Sequence, residues 1–273
     1  MLTLISALLL VLSSFGSALA QSCGDADNPC VLGERSYHML LPDGPTDAST
    51  VILLHGGGGT GKGLLKSGLA AQALERGYAF IAPNGEHPGM RWPKDWSVKA
   101  DGMQHPRDDI EFLHSVMADA VERHGVNGER ILLAGFSRGG SMVWDMACYA
   151  PDFATAYAPI AGAFWDALPE SCTAPVDLFH THGWDDRTVP LEGRSFGQVV
   201  QGDVWASLFV LRATNGCTNR QPESSEIRDS FWFRYWSDCE AGRIDLLLHP
   251  GGHSIPKGWS TMALDWFEAR LAE

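Results

Sequence analysis

The sequence predicts an α/β fold, a mostly parallel sheet with helices on both faces, on three observations. Short apolar runs alternate with stretches whose apolar residues recur at helical spacing, as successive βα units do. One such run, Ile131-Leu132-Leu133-Ala134, leads directly into Gly135-Phe136-Ser137-Arg138-Gly139, and residues 141–148 then follow a helical period. At 273 residues, 45% hydrophobic and 19% charged, the chain suffices for one sizeable core and is short for two.

Residues 1–20 carry no charged side chain, are apolar from Leu2 to Leu12, and end Ser17-Ala18-Leu19-Ala20. This is the pattern of a signal peptide cleaved before Gln21, with an apolar run shorter than the roughly 20 residues that span a bilayer. A small N-terminal disulfide loop is expected over 21–35, and one α/β domain over 36–273. Strands are predicted at 36–41, 51–54, 78–82, 130–134, 154–160, 176–180, 231–236 and 244–248. Helices are predicted at 63–75, 107–123, 140–150, 195–212 and 260–271, the last with an apolar stripe through Met262, Leu264, Trp266, Phe267 and Leu271. Asp108 and Asp109 begin a helix or brace nearby loops.

Export makes the six cysteines readable as three disulfides, although counting alone leaves fifteen pairings open. Cys23 and Cys30 are the only pair close enough for a small N-terminal loop. Cys148 with Cys172 would tie the helix after the Ser137 turn to a later loop, and Cys217 with Cys239 would staple the segment before the last strand. No Cys-x-x-Cys is present, which argues against zinc. A net charge of −13, all of it outside the first twenty residues, repels nucleic acid and anionic lipid. A secreted or periplasmic monomer with no nucleic-acid or membrane partner is the expectation.

Gly-x-Ser-x-Gly between a strand and a helix holds a hydroxyl out of the sheet as a nucleophile. Ser137 needs a base within hydrogen-bond reach and an acid that orients that base. In a doubly wound sheet both come from loops at the carboxyl ends of later strands. His253, in the loop Pro250-Gly251-Gly252-His253 after the 244–248 strand, is the candidate base; His249 still lies at the strand end and reads as structural. Asp185 and Asp186 both follow the 176–180 strand, and spacing does not separate them. The order Ser, Asp, His is the one found when the nucleophile sits on the elbow of an α/β-hydrolase sheet.

A developing oxyanion needs two donors. The N–H of Arg138 is one; the run Leu54-His55-Gly56-Gly57-Gly58-Gly59 supplies the other, at Gly57 or Gly58, with His55 orienting the loop. Residues 56–63 read G-G-G-G-T-G-K-G and mimic a phosphate loop, but Gly63 stands where a Mg-ligating Ser/Thr belongs. His180 and His182 could suggest a metal, yet no third ligand lies near them in sequence, so no metal is expected.

From about Ser36 onward the chain resembles secreted esterases of the polyhydroxybutyrate depolymerase and feruloyl/acetylxylan esterase group. The resemblance rests on the Leu54 to Gly59 loop, Ala82-Pro83-Asn84-Gly85 with Trp92 and Trp96, Asp108-Asp109-Ile110-x-Phe112, and Gly135 to Met142. It continues through His182-Gly183-x-x-Asp186-x-x-Val189-Pro190, Asn215-Gly216-Cys217 and Gly251-Gly252-His253-Ser254-Ile255-Pro256. It implies an α/β-hydrolase catalytic domain, a cofactor-free esterase acting through an acyl-enzyme, the acid at Asp186, and a Cys217 to Cys239 disulfide. Arg138 replaces a residue that is often small in the family, and Ser254-Ile255-Pro256 replaces a more aromatic run, so substrate contacts near the nucleophile should differ. Hydroxyalkanoate oligomers are the expected substrate, with feruloyl or acetylxylan esters as the alternative and a catalytically silent binding module as the reading outside the class. Depolymerases of solid polyester often carry an added binding domain, and its absence here points away from insoluble polymer. Among ten tryptophans, Trp92, Trp96 and Trp184 are the candidates to contact substrate; most of the others should pack in the core.

Overall fold

The computed structural model describes residues 23–44, 47–86 and 94–272. The expected signal peptide and Trp92 lie outside these residues. In chain order the strands are β1 (Cys30–Leu32), β2 (Arg35–Leu40), β3 (Thr50–Leu54), β4 (Ala79–Pro83), β5 (Ile131–Phe136), β6 (Ala156–Ile160), β7 (Trp165–Asp166) and β8 (Asp177–Gly183). They continue with β9 (Arg194–Phe196), β10 (Val199–Gln201), β11 (Ser224–Arg228), β12 (Phe231–Trp236) and β13 (Arg243–His249). The helices are α1 (Gly61–Leu64), α2 (Gly68–Glu75), α3 (Asp109–His124), α4 (Arg138–Tyr149), α5 (Val204–Thr214) and α6 (Trp259–Leu271).

Ten strands form one sheet in the order β1-β2-β4-β3-β5-β6-β8-β13-β12-β11. The six central strands, β4 through β13, are parallel, and an antiparallel pair closes each edge. The central strands are apolar throughout because both of their faces are covered. In β3, Val51 and Leu53 point to the side holding Leu69 of α2 and Phe267 of α6, while Ile52 and Leu54 point to the side holding Leu113 of α3 and Met142 of α4. Each such side chain, taken fully out of water, contributes about 1.5–3 kcal/mol, so these two cores hold the layers in place. The chain reverses its direction of travel across the sheet between β3 and β5, which opens a crevice at their carboxyl ends.

Two helix expectations require correction. Residues 195–212 do not form one helix: β9 and β10 make a hairpin turning at Gly197, whose φ is 65°, and with β7 they build a separate three-stranded sheet. Gly202 then packs so tightly that a Cβ there would lie 2.4 Å from the Phe164 carbonyl oxygen. Only beyond it does Asp203 cap α5, its side chain accepting the Ala206 N–H at 2.9 Å. The 63–75 stretch is likewise two helices, broken where Ser67 accepts the Ala70 N–H to start α2. Strands β1, β7 and β11 escaped the sequence pattern because they are short or, in β11, fully exposed and without alternation.

Disulfides join Cys23 to Cys30, Cys148 to Cys172 and Cys217 to Cys239. No helix among the described residues is long and apolar enough to cross a membrane.

Candidate active site

Ser137 stands between β5 and α4 with φ 57° and ψ −118°, a conformation rare for any residue with a side chain. It persists because neighbours on every side fix it. The Ser137 N–H donates to Ile160 O at 2.9 Å, and a Cβ on Gly139 would sit 2.4 Å from Leu54 O. Strand and helix therefore pass at a separation that only glycine permits, and the hydroxyl is held above the sheet edge.

The loops after β8 and β13 meet because their strands pair in parallel up to Gly183 opposite His249. The pairing then runs on past the strands: the Trp184 N–H donates to His249 O at 2.7 Å, and the Asp185 N–H to Gly251 O at 3.1 Å. A Cβ at Gly183 would come within 2.2 Å of Gly252 O, so that approach also requires glycine. At the tip of the joined loops, His253 Nδ1–H donates to Asp186 Oδ2 at 2.8 Å. That fixes the tautomer, leaving Nε2 to accept from the Ser137 hydroxyl at 2.9 Å.

Asp186 and Asp185 are now distinguishable. Asp185 is exposed and pairs with Arg187. Asp186 is buried, and its other oxygen accepts the Thr188 and Val189 N–H groups, each at 2.8 Å. Burial alone would raise its pKa, but the hydrogen bonds from His253, Val189 and Thr188 outweigh it and hold the carboxyl below its usual range.

Of the two glycine candidates, Gly58 has its N–H committed to Lys94 O at 2.8 Å. The Gly57 N–H has no partner among the described residues, and a Cβ there would touch Arg138 Cγ at 3.4 Å. The Arg138 N–H, at the first turn of α4, lies outside the intrahelical ladder. His55 orients the loop: its Nδ1–H donates to Gly56 O at 2.8 Å and its Nε2 accepts the Gly85 N–H at 2.9 Å. Burial lowers its pKa and keeps it neutral.

Trp96 is a correction. It is fully buried and packs at a tilt against the His55 ring, with its indole N–H donating to His55 O at 2.8 Å, so it supports the loop and has no face for a ligand. Trp165 and Trp259 are also buried. Trp184 is 58% exposed beside the acid loop. His249 is buried, and its Nδ1 accepts the Gly251 N–H. His180 Nε2–H donates to His182 Nδ1 at 3.0 Å and His182 Nε2–H to Val189 O at 2.7 Å, so both rings are tied into the backbone of the acid loop. Among the described residues the one cluster with metal-ligand spacing is Cys23, Cys30 and His124, and its two sulfurs are joined in a disulfide.

What sequence reasoning missed is the side chain of Arg138. Its guanidinium pairs with Asp95 at 2.6 Å and Asp101 at 2.5 Å and donates to Trp96 O at 3.0 Å. His105 joins Asp101 at 3.1 Å. Farther along, Ser97 and Asp109 exchange two hydrogen bonds, and the Lys99 N–H donates to Asp145 of α4. The replacement of a small residue by Arg138 was the only trace of this network in the sequence.

The phospholipase/carboxylesterase family profile matches residues 41–206. Feruloyl esterase C of Emericella nidulans is 26% identical over 235 residues, 80% of this chain and 76% of that protein. NocK of Nocardia uniformis is 28% identical over 170 residues, and the chain spans only 48% of its length. An acetyl xylan esterase from Aspergillus awamori superimposes with a TM-score of 0.67 at 15% identity, covering 86% of this chain and 94% of that one. A Bacillus cereus carboxylesterase gives 0.60 at 14%, over 87% and 95%. With the sheet order, the strand-to-helix serine and the profile match in agreement, the chain belongs to the phospholipase/carboxylesterase family of α/β-hydrolases.

Proposed function

We propose that the protein is a serine carboxylic-ester hydrolase that works through an acyl-enzyme, and that its substrates are acylated plant carbohydrates carrying feruloyl or acetyl groups. The continuous hydrogen-bonded chain Ser137–His253–Asp186 carries the first part of this reading. Ser137 Oγ attacks the ester carbonyl while His253 Nε2 takes its proton, and Asp186 stabilises the imidazolium. The negative oxygen faces the N–H groups of Arg138 and Gly57, each worth about 2.7–4 kcal/mol where such donors have been removed from comparable sites. On collapse the alcohol leaves with the proton from His253; water then attacks the acyl-Ser137 with His253 as base.

The choice of substrate is supported by the names of the relatives, a feruloyl esterase and an acetyl xylan esterase, rather than by a hydroxyalkanoate enzyme. This reverses the order of preference drawn from the sequence. Three disulfides support an oxidising compartment outside the cytosol.

A fluorophosphonate probe should label the protein once, at Ser137, and Ser137→Ala should abolish labelling and lower p-nitrophenyl acetate turnover by about 10⁶-fold. An unlabelled Ser137, with hydrolysis undiminished by the substitution, removes the esterase reading. Methyl ferulate, acetylated xylan and hydroxybutyrate oligomers compared side by side test the substrate class; a clear preference for the oligomers would overturn it.

A further inference from the structure

The outer end of the sheet carries a surface that the relay does not use. Period-two alternation puts Trp232, Arg234 and Trp236 on one face of β12, where α5 packs with Trp205, Phe209 and Arg212. The Arg234 guanidinium lies 5.3 Å from the ring centres of both Trp232 and Trp236 and 5.9 Å from that of Trp205. Arg212 is 4.9 Å from the Trp236 ring, and Arg220 is 6.0 Å from the half-exposed Phe209. Trp184, 6.0 Å from Trp232, joins this array to the acid loop, two residues before Asp186.

The charges of this array are unbalanced. Elsewhere arginines sit on carboxylates, as Arg35 does on Asp109 and Arg243 on Asp245. Among the described residues, no carboxylate comes within ion-pair distance of Arg212, Arg220 or Arg234, in a chain whose net charge is −13. Glu223 is an acid whose charge bears on Arg212, and one of its oxygens is taken by the Ser237 N–H. Trp236 is buried beneath the array, whereas Trp205 and Trp232 are partly exposed and Trp184 is open to solvent. Guanidinium groups beside these accessible indoles offer forked donors for a carboxylate, and the indoles offer flat apolar surfaces for a sugar ring.

We propose that this face binds a polysaccharide chain bearing uronate carboxylates, and that it presents an acylated residue of that chain to Ser137. The idea rests on the carbohydrate-ester reading above. A neutral glycan would use the indoles and leave three cations unpaired, whereas a uronate chain satisfies both.

Affinity electrophoresis in gels containing glucuronoxylan, polygalacturonate or neutral xylan tests this directly. The protein should be retarded by the two acidic polymers and much less by neutral xylan, with retardation relieved by added salt. Arg234→Gln and Trp232→Ala should weaken it by about tenfold, and the exposed Arg220→Gln by a smaller factor, in variants whose thermal melting shows them folded. Equal retardation by acidic and neutral xylan, or retardation unchanged in Arg234→Gln and Arg220→Gln, overturns the proposal. If the acidic polymers retard the protein while p-nitrophenyl acetate is not hydrolysed, the esterase reading fails and the binding face survives.

Discussion

Ser137 and Arg138 are neighbours in sequence, and each anchors a polar chain of a different kind. The chain from Ser137 passes through His253 to Asp186 and is arranged to move a proton. The chain from Arg138 passes to Asp95 and Asp101, and through Asp101 to His105, and is built on a guanidinium held between two carboxylates. One is the relay of the proposed hydrolysis. The other ties residues 95–101 to the start of α4, beside the glycine loop that Lys94 O also holds through the Gly58 N–H. The turn that carries Ser137 is thus flanked by a brace whose energetics are those of a largely buried ion pair.

The difference is open to attack from both sides. Short of removing the serine itself, the largest effect is expected from Asp186→Asn, which keeps the shape of the relay but reverses the tautomer demanded of His253, lowering kcat by about 10⁴-fold. Asp185→Asn, one position away and exposed, should change kcat less than twofold; comparable losses in the two variants would mean that the acid has been misassigned.

Arg138→Met should act on stability first. Removing one partner of a buried ion pair costs about 3–5 kcal/mol, and each kcal/mol shifts Tm by about 2–4 °C at this size. A melting temperature within 2 °C of wild type would show that the brace does not hold the loop.

The smallest effect separates two aspartates by pH. Asp145 is buried with one backbone N–H for a partner, and burial pushes its carboxyl up to about 7, against roughly 3.9 in the unfolded chain. Between those values the folded state binds more protons, so this contribution to stability is complete below about pH 4 and is lost as pH rises through about 7. Asp186, held below its usual range, works in the opposite sense: its contribution is present above the unfolded carboxylate pKa and lost as pH falls through the folded value. Asp145→Asn should therefore raise Tm by a few degrees at pH 8 and hardly at pH 4; a uniform shift across pH would show that packing, not ionisation, is at stake.

How much of this could be read from the sequence follows from distance along the chain. The strand, the serine and the glycines are consecutive residues, so their turn is visible as a word. The loops bearing His253 and Asp186 are readable as strand ends, although choosing Asp186 over Asp185 took the family resemblance. Arg138 meets Asp95 and Asp101 across 43 and 37 residues, with no periodicity to mark the encounter. The helix expected at 195–212 misled because only its second part, from Val204 on, is helical, while Gly197 and Gly202 serve a hairpin and a close backbone contact. Trp96 misled for the opposite reason: a tryptophan in a loop is fully enclosed once the loop folds over His55.

The Cys217–Cys239 bond closes the base of the segment that contains β11 and β12. The turn from β11 to β12, at Asp229 and Ser230, is exposed, which makes it a natural place for a protease to cut. A single cut there would leave both new ends covalently tethered. On a non-reducing gel the nicked chain would still migrate as one species, and only a reducing agent would release the C-terminal fragment carrying His253.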